Sequence, residues 1–138
     1  VSRGVEFTGI FPILPAGDLE ATLDYYRDRL GFSVHWRWGD PPVRAGVRRD
    51  GVELQLDADR GTRPDHPARV YVHVRGVDAY YEKCLERGAE IVLPLDDRSF
   101  GMRDFRVEDP AGNVLGFGEP VPGGAGPEEP PPGNAPDR

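Results

Sequence analysis

Trp36 and Trp38 stand two residues apart in a β-like stretch, as do Glu53 and Gln55 in residues 52–56 and Tyr71 and His73 in residues 70–74. Positions two apart in a strand share a face, so each pair presents both members to one side. The tryptophans could stack a planar aromatic group, worth about 1–3 kcal/mol by analogy with base stacking, or they could serve as core packing. Phe100, Met102 and Asp104 lead into a turn at residues 109–113, beyond which Leu115 and Phe117 alternate with Val114 and Gly116. Phe105 and Val107 share the face of Leu115 and Phe117, which leaves Asp104, Arg106, Val114 and Gly116 on the side where a ligand could be met. Glu53 and Asp104 are the first choices for a cationic group, and otherwise are solvated carboxylates. His73 has the chemistry of a general base near neutral pH, but no orienting carboxylate accompanies it, so it reads as a hydrogen-bonding residue. His35 and His66 have no constellation around them. Cys84 falls on an apolar helix stripe and reads as core.

Two passes of the same grammar position these residues. Residues 5–14 form an apolar β-like run interrupted by Pro12, which marks an edge or a crossing point because proline cannot donate to a ladder. Asp18 is a helix N-cap, Leu19, Leu23, Tyr26 and Leu30 recur at helical spacing, and Gly31 ends the helix. Phe32, Val34, Trp36 and Trp38 then alternate in a strand, and residues 43–49 and 52–56 make two more around Asp50-Gly51. Residues 59–67 read as a linker. The order repeats with a strand at 70–74, a helix from Gly76 to Gly88, a strand at 89–93, a loop at Asp96, Asp97 and Arg98, and the closing hairpin. Superposing Asp18 on Gly76 sets Leu19 on Val77 and Tyr26 on Cys84. The expected fold is α+β, two β-α-β-β-β modules over about 5–57 and 68–119. A Pro/Gly-rich acidic tail at 120–138 is too poor in apolar residues to build a core.

The formal net charge of −7 argues against nucleic acid and anionic membrane surfaces, both of which demand a basic face. It permits steering of a cationic ligand. One cysteine excludes an internal disulfide and a multi-cysteine metal site. No apolar run approaches a membrane span and no signal-peptide pattern opens the chain, so a reduced, cytoplasmic setting is expected.

The stretches GDLEATLDYYRDRLGFSV at 17–34 and GMRDFRVEDPAGNVLGF at 101–117, set in this doubled pattern, resemble the glyoxalase, bleomycin-resistance and extradiol-dioxygenase superfamily. The resemblance covers residues 5–119 and implies a curved mixed-sheet cup with helices on its convex side. Enzymes of the superfamily place a metal ligand on each of four strands. Those positions fall here on Phe11, Gln55, Arg69 and Gly116, of which only Gln55 has a donor suited to a metal ion. A register shift could offer Glu53 and His73, still without further partners.

A cup without its metal set resembles the bleomycin-resistance proteins, which bind antibiotics without altering them. In those proteins a proline in the first strand lets the N-terminal strand cross to a partner, and Pro12 falls at that place. The resemblance therefore implies a homodimer with exchanged strands and a ligand crevice at the interface. The lining implied is Phe11, Trp36, Trp38, Glu53, Gln55, Arg69, Tyr71, His73, Phe100, Met102, Asp104 and Gly116, with Pro12 as the dimer hook. The expected function is binding of a bleomycin-like or other bulky antibiotic, cationic and partly aromatic, with no cofactor and no catalytic residue. The alternatives are a lyase, isomerase or dioxygenase-type enzyme of the same fold and a binding module for a small metabolite.

Overall fold

The computed structural model describes residues 4–58 and 66–121. The elements run β1 (Ile13–Pro15), α1 (Leu19–Asp28), β2 (Ser33–Gly39), β3 (Pro42–Arg49), β4 (Val52–Asp57), β5 (Arg69–His73), α2 (Val77–Glu86), β6 (Glu90–Asp97), β7 (Met102–Glu108) and β8 (Val114–Pro120). They form two four-stranded sheets, ordered β1-β4-β3-β2 and β5-β8-β7-β6. In each sheet the first strand pairs parallel with the last and the remaining pairs are antiparallel. The doubled β-α-β-β-β order is the one expected. The acidic tail, past Val121, and most of the 59–67 linker lie outside the described residues.

Local chemistry explains the two helices differently. Asp18 accepts from the Ala21 amide at 3.0 Å and caps α1, whose buried Leu19, Leu23 and Tyr26 recur at three- and four-residue steps. α2 begins at Gly76, in the left-handed region at φ 84° and without a side chain to cap it. Glu119 of β8 supplies the missing acceptor, taking the Val77 amide at 2.6 Å.

The helix-bearing faces of both sheets meet in one continuous core. Leu14, Ala45, Val47, Leu54 and Leu56 come from the first sheet and Phe105, Val107, Leu115 and Phe117 from the second, around Leu23, Tyr26, Val77 and Cys84. Tyr80 sits between Phe105 and Phe117, edge-on to the latter at 5.0 Å between ring centroids. Buried hydrogen bonds also tie the halves together. The Tyr26 hydroxyl donates to Asp109 Oδ2 at 2.7 Å, Asn113 Nδ2 donates to the Pro15 carbonyl at 2.8 Å, and the Tyr80 hydroxyl donates to the Leu30 carbonyl at 2.6 Å. The hairpin turn, legible as a turn from its Pro and Gly, is thus also the junction between modules. Asp109 and Asn113 are buried in it and satisfy one another.

The structure departs from the sequence pattern in three places. β1 is only Ile13–Pro15, and residues 5–11, expected as strand, are exposed and irregular, with Val5, Phe7 and Ile10 at 91, 95 and 90 % exposure. β6 continues through Asp96 and Asp97, expected as loop, because these pair with Asp104 and Arg103 of β7. In β2 a register shift between Val34 and Trp36 inserts His35 as an extra residue. Phe32 is buried and Val34 packs on the core, whereas beyond the extra residue Trp36 and Trp38 face the other way.

Candidate functional site

The faces opposite the core carry the polar and aromatic residues. Across the first sheet the register aligns Trp36, Gly46, Gln55 and Ile13 in one row and Trp38, Arg44 and Asp57 in the next. The Trp36 indole lies over Gly46, where a methyl group would collide with it, and its Nε1 donates to Glu53 Oε2 over a long 3.4 Å. Trp38 is 61 % exposed, with the Arg44 guanidinium 5.7 Å from its ring centroid. Glu53 and Asp57 each face an arginine, Arg48 at 3.7 Å and Arg44 at 3.5 Å.

Across the second sheet, Tyr71 lies beside Gly116 and His73 beside Gly118. A Cβ on Gly116 would come within 2.8 Å of the Tyr71 ring, so the glycine makes room for Tyr71 of its own chain, whereas the sequence suggested room for a ligand. Tyr71 donates to Asp104 Oδ2 at 2.9 Å, and Arg98 Nε donates to Asp104 Oδ1 at 2.7 Å. Asp104 is fully buried, which overturns its expected place at the open end as an acceptor for a cationic ligand. Its charge is already matched by Arg98, itself only 10 % exposed. Met102 is buried and Phe100 half-buried. A cavity of about 360 Å³ adjoins this face, lined by Arg69, Val70, Tyr71, Arg106, Val114 and Gly116. His73 is exposed, its ring edge-on to Tyr71 at 5.5 Å.

The structure therefore gathers the expected residues on two faces, one per module. Trp36, Trp38, Glu53 and Gln55 share the first, and Arg69, Tyr71, His73 and Gly116 the second. Phe11 and Pro12, expected inside the first strand, instead precede β1, although the Pro12 carbonyl accepts from the Gln55 amide at 2.9 Å. Sequence reasoning missed Arg98 as the partner of Asp104, and it missed Gly46 and Gly118 as seats for aromatic rings. The visible signal was glycine at alternate positions 116 and 118, which marks a strand face where something approaches closely.

The model of the Glyoxalase/Bleomycin resistance protein/Dioxygenase superfamily matches residues 8–117. The chain belongs to this superfamily. It is 30% identical to a bleomycin resistance protein of Geobacillus stearothermophilus over 125 residues, covering 77% of this chain and 92% of that one. Among solved structures, it is 28% identical, with a TM-score of 0.64, to the bleomycin-binding protein of bleomycin-producing Streptomyces verticillus complexed with copper(II)-bleomycin; the match covers 83% and 97% of the two chains. The fold is shared too with TnmS3, an antibiotic binding protein from Streptomyces sp. CB03234, at a TM-score of 0.72 and 24% identity over 86% and 100% of the chains.

The metal of the superfamily's enzymes does not fit the residues present. Phe11 and Gly116 offer no donor atom, Gly116 is covered by Tyr71, and Arg69 carries the wrong charge. Among the described residues no three His, Cys, Asp or Glu side chains converge, and no helix is long and apolar enough to cross a membrane.

Proposed function

We propose that this protein binds a bulky natural-product antibiotic, bleomycin-like in its planar aromatic part, and confers resistance by sequestering it without a metal and without chemistry. The observation that carries the reading is the β2 bulge, which presents Trp36 and Trp38 on a solvent-facing sheet surface in a chain related to bleomycin resistance and bleomycin-binding proteins. Tryptophans held on a rigid strand, Trp38 exposed and Trp36 half-buried, lose little freedom on stacking a flat ligand. Glu53 is already engaged by Arg48 and Trp36, and Asp104 by Arg98 and Tyr71. Recognition in this reading comes from aromatic stacking and from displaceable surface pairs, which are individually weak.

The binding unit in this reading is a homodimer that exchanges its N-terminal arms. Val5, Phe7 and Ile10 are almost fully exposed, and burying each against a partner would contribute about 1.5–3 kcal/mol before the cost of ordering the arm. Pairing the tryptophan face of one copy with the Tyr71 face of the other would build the crevice.

A tryptophan-fluorescence titration of the full chain with bleomycin, in the presence of a chelator, tests the reading. The expected result is a saturable change at one ligand per subunit, indifferent to chelator. Absence of binding by both fluorescence and calorimetry would sink it.

A further inference from the structure

A second cavity, larger than the one on the Tyr71 face, opens between the two modules. It measures about 700 Å³, within the range of small-molecule sites. The β3–β4 hairpin supplies one wall through Arg49, Asp50 and Val52, and β5 and α2 supply the other. Its floor is apolar, made by the buried Phe32 and Phe117 with the half-buried Val72, Val74 and Tyr80. Its rim carries Arg49, Arg75 and Lys83 against one carboxylate, Asp50, with the exposed His73 beside them. A local surplus of cations is unexpected on a chain of net charge −7.

None of the three cations is paired with a carboxylate among the described residues. Arg49 Nη1 is held by the carbonyls of Leu30 and Gly31, at 3.3 and 3.0 Å. Its guanidinium lies 5.0 Å from the Tyr80 ring centroid. It is thereby fixed as part of the wall. Lys83 stands one turn after Ala79 on α2, so the two share the face of the helix that lines the cleft. Arg75 and Lys83 are exposed and reach over an apolar floor.

We propose that this cleft is a second ligand site, away from the tryptophan face and bordering the Tyr71 face only at His73, that takes a small amphiphilic anion. The apolar body lies on Phe32, Val72, Val74 and Phe117, and the carboxylate is met by Arg75 and Lys83, with Arg49 as a fixed cation behind them. A cationic amphiphile of the same length is repelled at the rim. Because walls from both modules close on it, the ligand also braces one module against the other.

Decanoate and decylammonium are matched probes, with the same chain and opposite heads. Calorimetry of the full chain is expected to give saturable decanoate binding at one per chain and none for decylammonium. The double variant Arg75→Gln, Lys83→Gln should weaken decanoate by about tenfold or more. Both side chains are exposed, so the variant folds, which its thermal unfolding verifies. Amide NMR then places the ligand, since shifts are expected at Val52, Val72, Val74, Gly76 and Ala79. The indole signals of Trp36 and Trp38, the chain's two tryptophans, should stay still. Binding that moves the indoles instead, equal binding of both probes, or an undiminished affinity in the double variant would each overturn the proposal. So would no binding by the full chain, including the case where decanoate binds only after residues 1–10 are removed, which would assign the cleft to the arm of a second copy.

Discussion

Replacing Asp104 by asparagine separates two roles for this residue, ligand contact and internal anchor. In the structure its carboxylate is fully buried, accepts from Arg98 at 2.7 Å and from Tyr71 at 2.9 Å, and has no exposed edge. Asparagine keeps the shape and one acceptor oxygen but removes the charge, leaving the nearly buried Arg98 without a counter-ion. Breaking a buried pair from one side costs about 3–5 kcal/mol. Arg98 keeps the carbonyls of Pro94 and Asp104, at 2.7 and 3.0 Å, so a loss of about 3 kcal/mol, at the lower end of that range, is expected. With a urea dependence of about 1.5 kcal/mol per molar, the unfolding midpoint should fall by about 2 M. Tyr71→Phe alone should cost less, about 1 kcal/mol for one hydrogen bond. In a double-mutant cycle the two losses should not add, because both act on one carboxylate. An exposed carboxylate waiting for a ligand would cost under about 0.5 kcal/mol when replaced. A midpoint shift below about 0.5 M urea, with a specific loss of antibiotic affinity, would refute the anchor role.

Trp38→Ala should leave the unfolding midpoint nearly unchanged, since the side chain is 61 % exposed, and weaken bleomycin binding by about 1–3 kcal/mol in a titration; equal affinity would remove the stacking role. Burial and the nearby Asp109 charge push the Tyr26 hydroxyl well above the ordinary tyrosine range near 10. The folded state therefore holds this proton more tightly than the unfolded state, so the contribution is whole below pH 10 and is lost as the pH rises above it. Urea midpoints flat through neutrality and falling above about pH 10 in step with tyrosine absorbance would agree, whereas a flat profile to higher pH would not. Burial also raises the Cys84 thiol to about 11, so a thiol reagent at pH 8 should label it only at the rate of unfolding; rapid labelling of the native protein would contradict its placement. The homodimer proposed above should dissociate to monomer, in sedimentation at micromolar concentration, when residues 1–10 are removed; an unchanged dimer would show that the arm does not hold it.

The doubled module was legible because it rests on local rules that a sequence carries on its face. Leu19, Leu23 and Tyr26 recur at helical spacing behind a capping Asp18, alternation marks the strands, and Asp109-Pro110 with Gly112 marks the closing turn. The side of each sheet that meets solvent followed from the same alternation for Gln55, Tyr71 and His73. It left Trp36 and Trp38 open between ligand stacking and core packing, because strict alternation continues from Phe32 and Val34, and one extra residue at His35 reverses every position after it. A bulge leaves no mark on composition.

The elements, their order and repeat, and the face on which most chemistry-bearing side chains stand depend on near neighbours and on periods of about two or 3.6 residues, so they can be read along the chain. The tertiary structure decided which charges remain available. Arg98 and Asp104 meet because β6 and β7 close a hairpin over them, and Gly116 is filled by Tyr71 because β5 pairs with β8 across more than forty intervening positions. It also decided the cleft, whose walls come from hairpin residues 49–52 and from β5 and α2. Pairings of this kind depend on how two modules pack, and no local pattern encodes that packing.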